Sequence, residues 1–262
     1  MKITVLGARG SMPVTGSEYL TYGGDTTSYL LETETQAIFL DAGTGIVHAP
    51  FTKKEVSVLI SHPHLDHLMG IPFFCPFYEK DRNVNIYGVS RNGLTIREQL
   101  EHLMAPPLWP VGLDVFSADI RCNEISGSFR VGEAQIEIFE NRHPGGCTAF
   151  RVISEGKTIV FSGDYEHDNG AGDWAFSRFA HDADLLIYDA HYTETEYKIK
   201  KSFGHSTPAK GLKIMNEAGA KRILFTHHDP FHKDIFLDAA EKDVKAICKS
   251  ASFAREGEVI AL

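Results

Sequence analysis

The 262-residue chain carries 26 Lys and Arg against 35 Asp and Glu, a formal charge of −9, with 43% hydrophobic and 23% charged residues. This is the balance of an ordinary globular protein, long enough to bury a sizeable core without disulfides. It argues against a general nucleic-acid coat, which needs broad positive surface, while leaving room for a local basic groove or an anionic substrate held by metal.

The first strands are predicted at Ile3–Leu6, Ser28–Glu32, Ala37–Leu40 and Val56–Ile60, all rich in β-branched and apolar residues. Gly7–Gly10, Gly23–Gly24 and Gly43–Gly45 mark turns between them. Leu94–Met104 reads as a helix with Ile96, Leu100, Leu103 and Met104 on one face, stopping before Pro106-Pro107. A second strand-rich half follows at Ala134–Phe139, Thr148–Ile153, Thr158–Phe161 and Asp184–Tyr188. Pro208–Ala218 reads as a helix capped by Ser206 or Thr207, with Pro208 at its first position. A strand at Arg222–Phe225 and a helix at Asp234–Cys248 complete the chain, the helix presenting Phe236, Leu237, Ala240, Val244 and Ile247 on one face. Strands then helices, twice over and with no linker, predict a single α/β domain built as a four-layer αββα sandwich.

No apolar run approaches the ~18 residues of a membrane span, and Ile3–Leu6 is too short for a signal-peptide core. Cys75, Cys122, Cys147 and Cys248 form no CxxC pair. They read as reduced, largely buried thiols in a cytoplasmic protein.

The chemistry concentrates in Ser61-His62-Pro63-His64-Leu65-Asp66-His67, directly after an apolar strand. Three His and one Asp leaving a strand together can converge on a small volume, and imidazole with carboxylate suits zinc, manganese or iron. His143, Asp164 and His227 each follow an apolar strand and precede a turn, where ligands from a sandwich rim are expected. The neighbouring His228 is the alternative to His227. His48, His102, His167, His181 and His232 lack such context and read as surface or packing residues. Arg9 reads either as a phosphate contact or as a solvated loop residue. The stiff stretch Ala105-Pro106-Pro107-Leu108-Trp109-Pro110 could roof a pocket or merely cover a sheet.

HxHxDH after a strand, followed by a distant His, Asp and His, resembles the metallo-β-lactamase superfamily along essentially the whole chain. Leu40-Asp41-Ala42-Gly43-Thr44-Gly45, Ser162-Gly163-Asp164 and Gly204-His205-Ser206-Thr207 are similar to its ribonuclease Z-like phosphodiesterase branch. Tyr188-Asp189-Ala190-His191-Tyr192 resembles that branch's His-Glu-Ala-Thr element, with Asp189 in the Glu position. The resemblance implies a dinuclear centre: His62, His64 and His143 on one ion, Asp66, His67 and His227 on the other, and Asp164 between them. It implies two divalent ions, zinc first, with manganese and iron as alternatives. Asp41 would orient a ligating imidazole, Asp66 the attacking water, and His205 with Asp189 would protonate the leaving group. The expected substrate is a small or cyclic anionic phosphodiester, nucleotides included. The alternatives are a tRNA 3′-end endoribonuclease, a thioester or lactone hydrolase, and a non-catalytic metal-bound sensor. Nucleic acid is the less favoured partner, because only twenty residues separate His143 from Asp164, where that branch commonly carries its tRNA-binding arm. No membrane partner is expected, and a homodimer stands among the partner expectations.

Overall fold

A computed structural model describes residues 1–50 and 55–262. In chain order the elements are β1 (Lys2–Gly7), β2 (Ser28–Glu32), β3 (Ala37–Leu40), β4 (Glu55–Leu59), α1 (Leu65–Leu68), β5 (Asn83–Gly88), α2 (Ile96–Leu103), β6 (Asp119–Glu124), β7 (Phe129–Val131), β8 (Ala134–Asn141), β9 (Cys147–Ser154), β10 (Lys157–Phe161), α3 (Ala171–Phe179), β11 (Leu185–Asp189), α4 (Glu194–Ile199), α5 (Pro208–Ala218), β12 (Ile223–Thr226), α6 (Asp234–Ile247), β13 (Ala251–Phe253) and β14 (Val259–Ala261). Every predicted element is present, its ends within two residues of expectation.

The strands form two seven-stranded sheets, ordered β14-β1-β2-β3-β4-β5-β6 and β13-β12-β11-β10-β9-β8-β7. Three apolar layers explain why the sheets stack. Between them lie Val5, Tyr29, Leu31, Phe150, Val152 and Ile187. Outside the first sheet, Ile96 and Leu100 of α2 pack with Phe39, Val58 and Ile86. Outside the second, Phe176 of α3, Ile214 of α5 and Leu237 of α6 pack with Val160, Leu186 and Phe225. Strands β9 and β10 are buried on both faces because each feeds two of these layers, and on β9 the buried Arg151 donates to the carbonyls of Phe179 and His181. The result is the expected four-layer αββα sandwich, except that β14 returns to the first sheet beside β1 rather than staying with its own half.

Two details depart from expectation. On α6, Phe236 and Ile247 face solvent, while Glu241 is buried. Arg255 pairs with that carboxylate at 2.6 Å and Phe253 N donates to it at 3.1 Å, so its charge is matched where an apolar residue was expected. Of the four thiols only Cys147 is buried; Cys75 is exposed, Cys122 and Cys248 are half-buried, and all four are free. Among the described residues no helix is long and apolar enough to cross a membrane.

Candidate metal centre

Strand direction gathers the site. β3 and β4 run parallel, as do β10, β11 and β12, and β8 shares their direction through antiparallel β9. Asp41, His62, His143, Asp164, Asp189 and His227 therefore all leave the carboxyl ends of strands at one rim, the usual place for ligands in α/β sheets. α1 is one short turn that returns Asp66 and His67 to the same point.

His62 Nε2 lies 3.5 Å and His143 Nε2 3.6 Å from Asp164 Oδ2. His64 Nδ1 faces His143 Nε2 at 3.1 Å. On the other side, His67 Nε2 and His227 Nε2 lie 3.3 and 3.2 Å from Asp164 Oδ1. Asp66 Oδ2 is 3.2 Å from His227 Nε2 and accepts from Ser11 N at 2.7 Å. Each oxygen of Asp164 thus faces one of two trios, His62/His64/His143 and Asp66/His67/His227. All these residues are buried except His64, which opens to solvent, and His143, whose imidazole alone is covered.

Proton positions decide what fits there. Ser61 Oγ donates to Asp41 Oδ2 at 2.7 Å, so its lone pair accepts from His62 Nδ1 at 3.0 Å. His67 Nδ1 donates to Asp41 Oδ2 at 2.7 Å, and His143 Nδ1 to the Gly204 carbonyl at 2.9 Å. With each Nδ1 committed as a donor, these rings in their neutral form aim Nε2 lone pairs at a carboxylate. His62 Nε2, His67 Nε2 and Asp164 Oδ1 are buried without a hydrogen-bond partner. Facing lone pairs need a cation between them, so the donor set fits two divalent ions.

Without metal, the two trios hold different charge. Burial, then the nearby imidazoles, pushes His62 well below the usual histidine range; burial also lowers His64 and His143. Burial would likewise lower His67 and His227, but Asp66, Asp164 and Asp41 carry His67 well above that range, and Asp164 with Asp66 raises His227 to about 9. Loading the Asp66/His67/His227 side must therefore expel protons. Its metal affinity should climb as pH rises from 6.5 to 9, more steeply than on the other side. Competition with a chromophoric chelator at stepped pH measures both. In metal-free protein the raised His227 stabilises the fold fully below about 6.5, its unfolded value, and this contribution is lost as pH climbs through about 9. Apo melting temperature should fall across that window.

Asp41 sits beneath both trios, touching His67 directly and His62 through Ser61. Its backbone has φ +58°, which Asn tolerates better than Ala. Asp41→Asn should keep the fold and cost about 10–100-fold in metal affinity, the usual weight of an outer carboxylate, read by the same chelator competition.

Asp189 and His205 meet as expected. His205 Nδ1 lies 2.9 Å from Asp189 Oδ2, and Asp189 also accepts from Tyr165 N at 3.1 Å and His191 N at 3.0 Å. Gly204 adopts φ +95°, and a Cβ there would lie 2.2 Å from His143 Nδ1. Only glycine lets this turn bring His205 so close. His191 was expected only as part of a motif, yet it belongs to the site. Its Nδ1 lies 2.7 Å from the His227 carbonyl and 3.1 Å from His227 Nδ1, and its ring stacks on His205 at 4.4 Å. The one signal for it was its place two residues after the strand-end Asp189.

Of the adjacent histidines, His227 enters the site and His228 does not. His228 is buried between Tyr22 and Phe253, its Nε2 3.0 Å from the Ala254 carbonyl, and burial depresses it to about 3. Arg9 matches neither expectation. It is 0% exposed and donates to the carbonyls of Gly23 (2.8 Å) and His232 (2.7 Å), bracing loops rather than meeting phosphate or water. His48, His102 and His181 are on the surface. His167 and His232 are buried packing residues, bonded to Ser206 and Glu196. Trp109 packs on Phe73 while Leu108 projects into solvent.

A model of the beta-lactamase superfamily domain matches residues 36–228, which include all seven expected ligands. The chain belongs to the metallo-β-lactamase superfamily. A probable metallo-hydrolase of Bacillus subtilis, YhfI, is 23% identical over 260 residues, covering 89% of this chain and 92% of that protein. The ribonuclease Z of Latilactobacillus sakei is 24% identical over 270 residues, covering 84% and 86%. Solved folds agree. The YhfI crystal structure superposes with TM-score 0.76 at 22% identity over 99% and 98% of the two chains. The short human tRNase Z gives 0.73 at 20% over 100% and 99%, and a diphosphatase of the PhnP family 0.71 at 16% over 100% and 97%. These relatives set this member of the superfamily in its ribonuclease Z-like branch.

Proposed function

We propose that this metallo-hydrolase is a dinuclear phosphodiesterase acting on a small or cyclic anionic phosphodiester, nucleotides included. The observation that carries the reading is Asp164, with one carboxylate oxygen on each of two ligand trios. When bound, the two ions supply positive charge for the non-bridging phosphate oxygens and a water acidified towards neutrality. The chain supplies the rest. Asp66, fixed by Ser11 N, orients the attacking water, and His205, aligned by Asp189, protonates the departing oxygen. The nitrogen and oxygen donors suit zinc first, then manganese or iron. Four unpaired thiols suit a reducing cytoplasm.

A second reading, tRNA 3′-end cleavage, is favoured by the ribonuclease Z relatives. Against it, the twenty residues between His143 and Asp164 hold only β9, the Glu155-Gly156 turn and β10, with no room for a tRNA-binding arm. A net charge of −9 also suits a small substrate better than a polyanion.

The test is a metal-defined activity screen across bis-aryl phosphodiesters, cyclic nucleotides, pre-tRNA, thioesters and lactones, with Asp66→Ala as blank. Phosphodiester turnover at least 10²-fold above the blank is expected. Turnover of pre-tRNA alone, or of thioesters or lactones alone, would replace the reading, and silence with all of them would leave a metal-bound sensor.

A further inference from the structure

Beside the metal centre lies a cleft of about 500 Å³ lined by Pro63, Leu65, Leu68, Leu94, Leu103 and Leu108, with Arg91, Asn92, Gln99 and His102 completing it. Pro63 and Leu65 of its lining flank His64 in the chain, the one candidate ligand open to solvent, so the cleft lies next to the site. Leu65 is 62% and Leu108 84% exposed. Large apolar side chains left wet at the edge of a polar centre mark a surface that a ligand covers.

The polar groups narrow the ligand further. Arg91 is the only Lys or Arg in the lining, and its charge is already matched. It pairs with Glu140 through both terminal nitrogens and donates to Thr148 Oγ1 at 2.7 Å. Among the described lining residues no free Lys or Arg remains for a second phosphate.

We propose that this cleft is the specificity subsite for one ester substituent of the substrate, an uncharged, ring-sized apolar group. The inference rests on the phosphodiester reading and adds the substrate class to it. The anionic phosphorus centre would sit at the trios and the apolar group against Leu65, Leu94 and Leu108. A polynucleotide, charged at every residue, fits such a wall poorly.

Calorimetry of metal-loaded protein with non-hydrolysable phosphonates tests this without relying on turnover. Methylphosphonate probes the metal centre alone, while phenylphosphonate adds the ring. Phenyl should bind at least about tenfold tighter than methyl, in line with burial of one aromatic face. Leu108→Asp and Leu94→Asp should each bring the phenyl-to-methyl ratio to within about twofold. Leu108 is too exposed for its replacement to unfold the chain, and circular dichroism checks both variants. Equal affinity for both phosphonates in the unmodified protein overturns the subsite while sparing the phosphodiester reading. So does a ratio that survives both substitutions. If neither binds and no diester is hydrolysed, the phosphodiester reading falls and takes the subsite with it.

Discussion

Asp164→Asn protein should bind one metal ion or fewer where the unmodified chain is expected to bind close to two, and its phosphodiester turnover should fall by on the order of 10³-fold, the upper end of the usual cost of losing one electrostatic stabiliser of a transition state. The substitution keeps the side chain's shape. It removes the one anion shared by both trios, whose oxygens lie 3.2–3.6 Å from four imidazole nitrogens. An amide offers one neutral oxygen, so one trio loses its acceptor and meets an N–H instead. In the metal-free state the change is tolerable, because His67 and His227 can shed the protons that Asp164 helps to hold on them. Melting should therefore remain cooperative, and elemental analysis after replenishment with zinc and with manganese should show the deficit. Two ions retained with full turnover would remove Asp164 from its bridging position.

How much of this was legible beforehand follows from which signals are local. His62, His64, Asp66 and His67 lie within six residues after an apolar strand, so chain connectivity alone brings them together. His143, Asp164 and His227 were readable because each stands just past an apolar strand, and parallel strands deliver their ends to one rim. His191 was legible only through its place two residues after the strand-end Asp189. Its role depends on the packing of β11 against β12, and an isolated His in a sequence carries no sign of its neighbour in space. Arg9 failed for the same reason: only the tertiary fold places the carbonyls of Gly23 and His232 around its guanidinium. Missed elements have local causes. β7, β13 and β14 are three residues each, too short for a periodic signal. β6 reads Asp-Ile-Arg-Cys-Asn-Glu because it is an edge strand that leaves polar groups to solvent. α4 was announced by Thr193-x-x-Glu196, which forms a full capping box, but its six residues carry no apolar stripe.

The proton on His205 should matter only when the leaving group needs it. Metals can neutralise a phosphate, but an alkoxide or ribose oxygen still departs as a strong base unless it is protonated. p-Nitrophenolate does not need that help. His205 has the geometry of a general acid. Its Nδ1 is committed to Asp189 at 2.9 Å, and its ring packs against His191 and His227, at 4.4 and 4.8 Å, so Nε2 is left for a substrate oxygen. Asp189 is itself immobilised by the backbone N–H groups of Tyr165 and His191. General acid help is typically worth about 10²–10⁴-fold. His205→Ala should therefore slow alkyl and ribose diesters by that factor and p-nitrophenyl esters by less than about tenfold. Asp189→Asn, which keeps a polar contact to the ring but removes the charge, should show the same selectivity at smaller amplitude. Metal content separates this role from a structural one, since neither variant removes an expected ligand and both should still carry close to two ions. Equal losses on both classes of ester, at full metal content, would assign His205 to substrate binding instead of proton transfer.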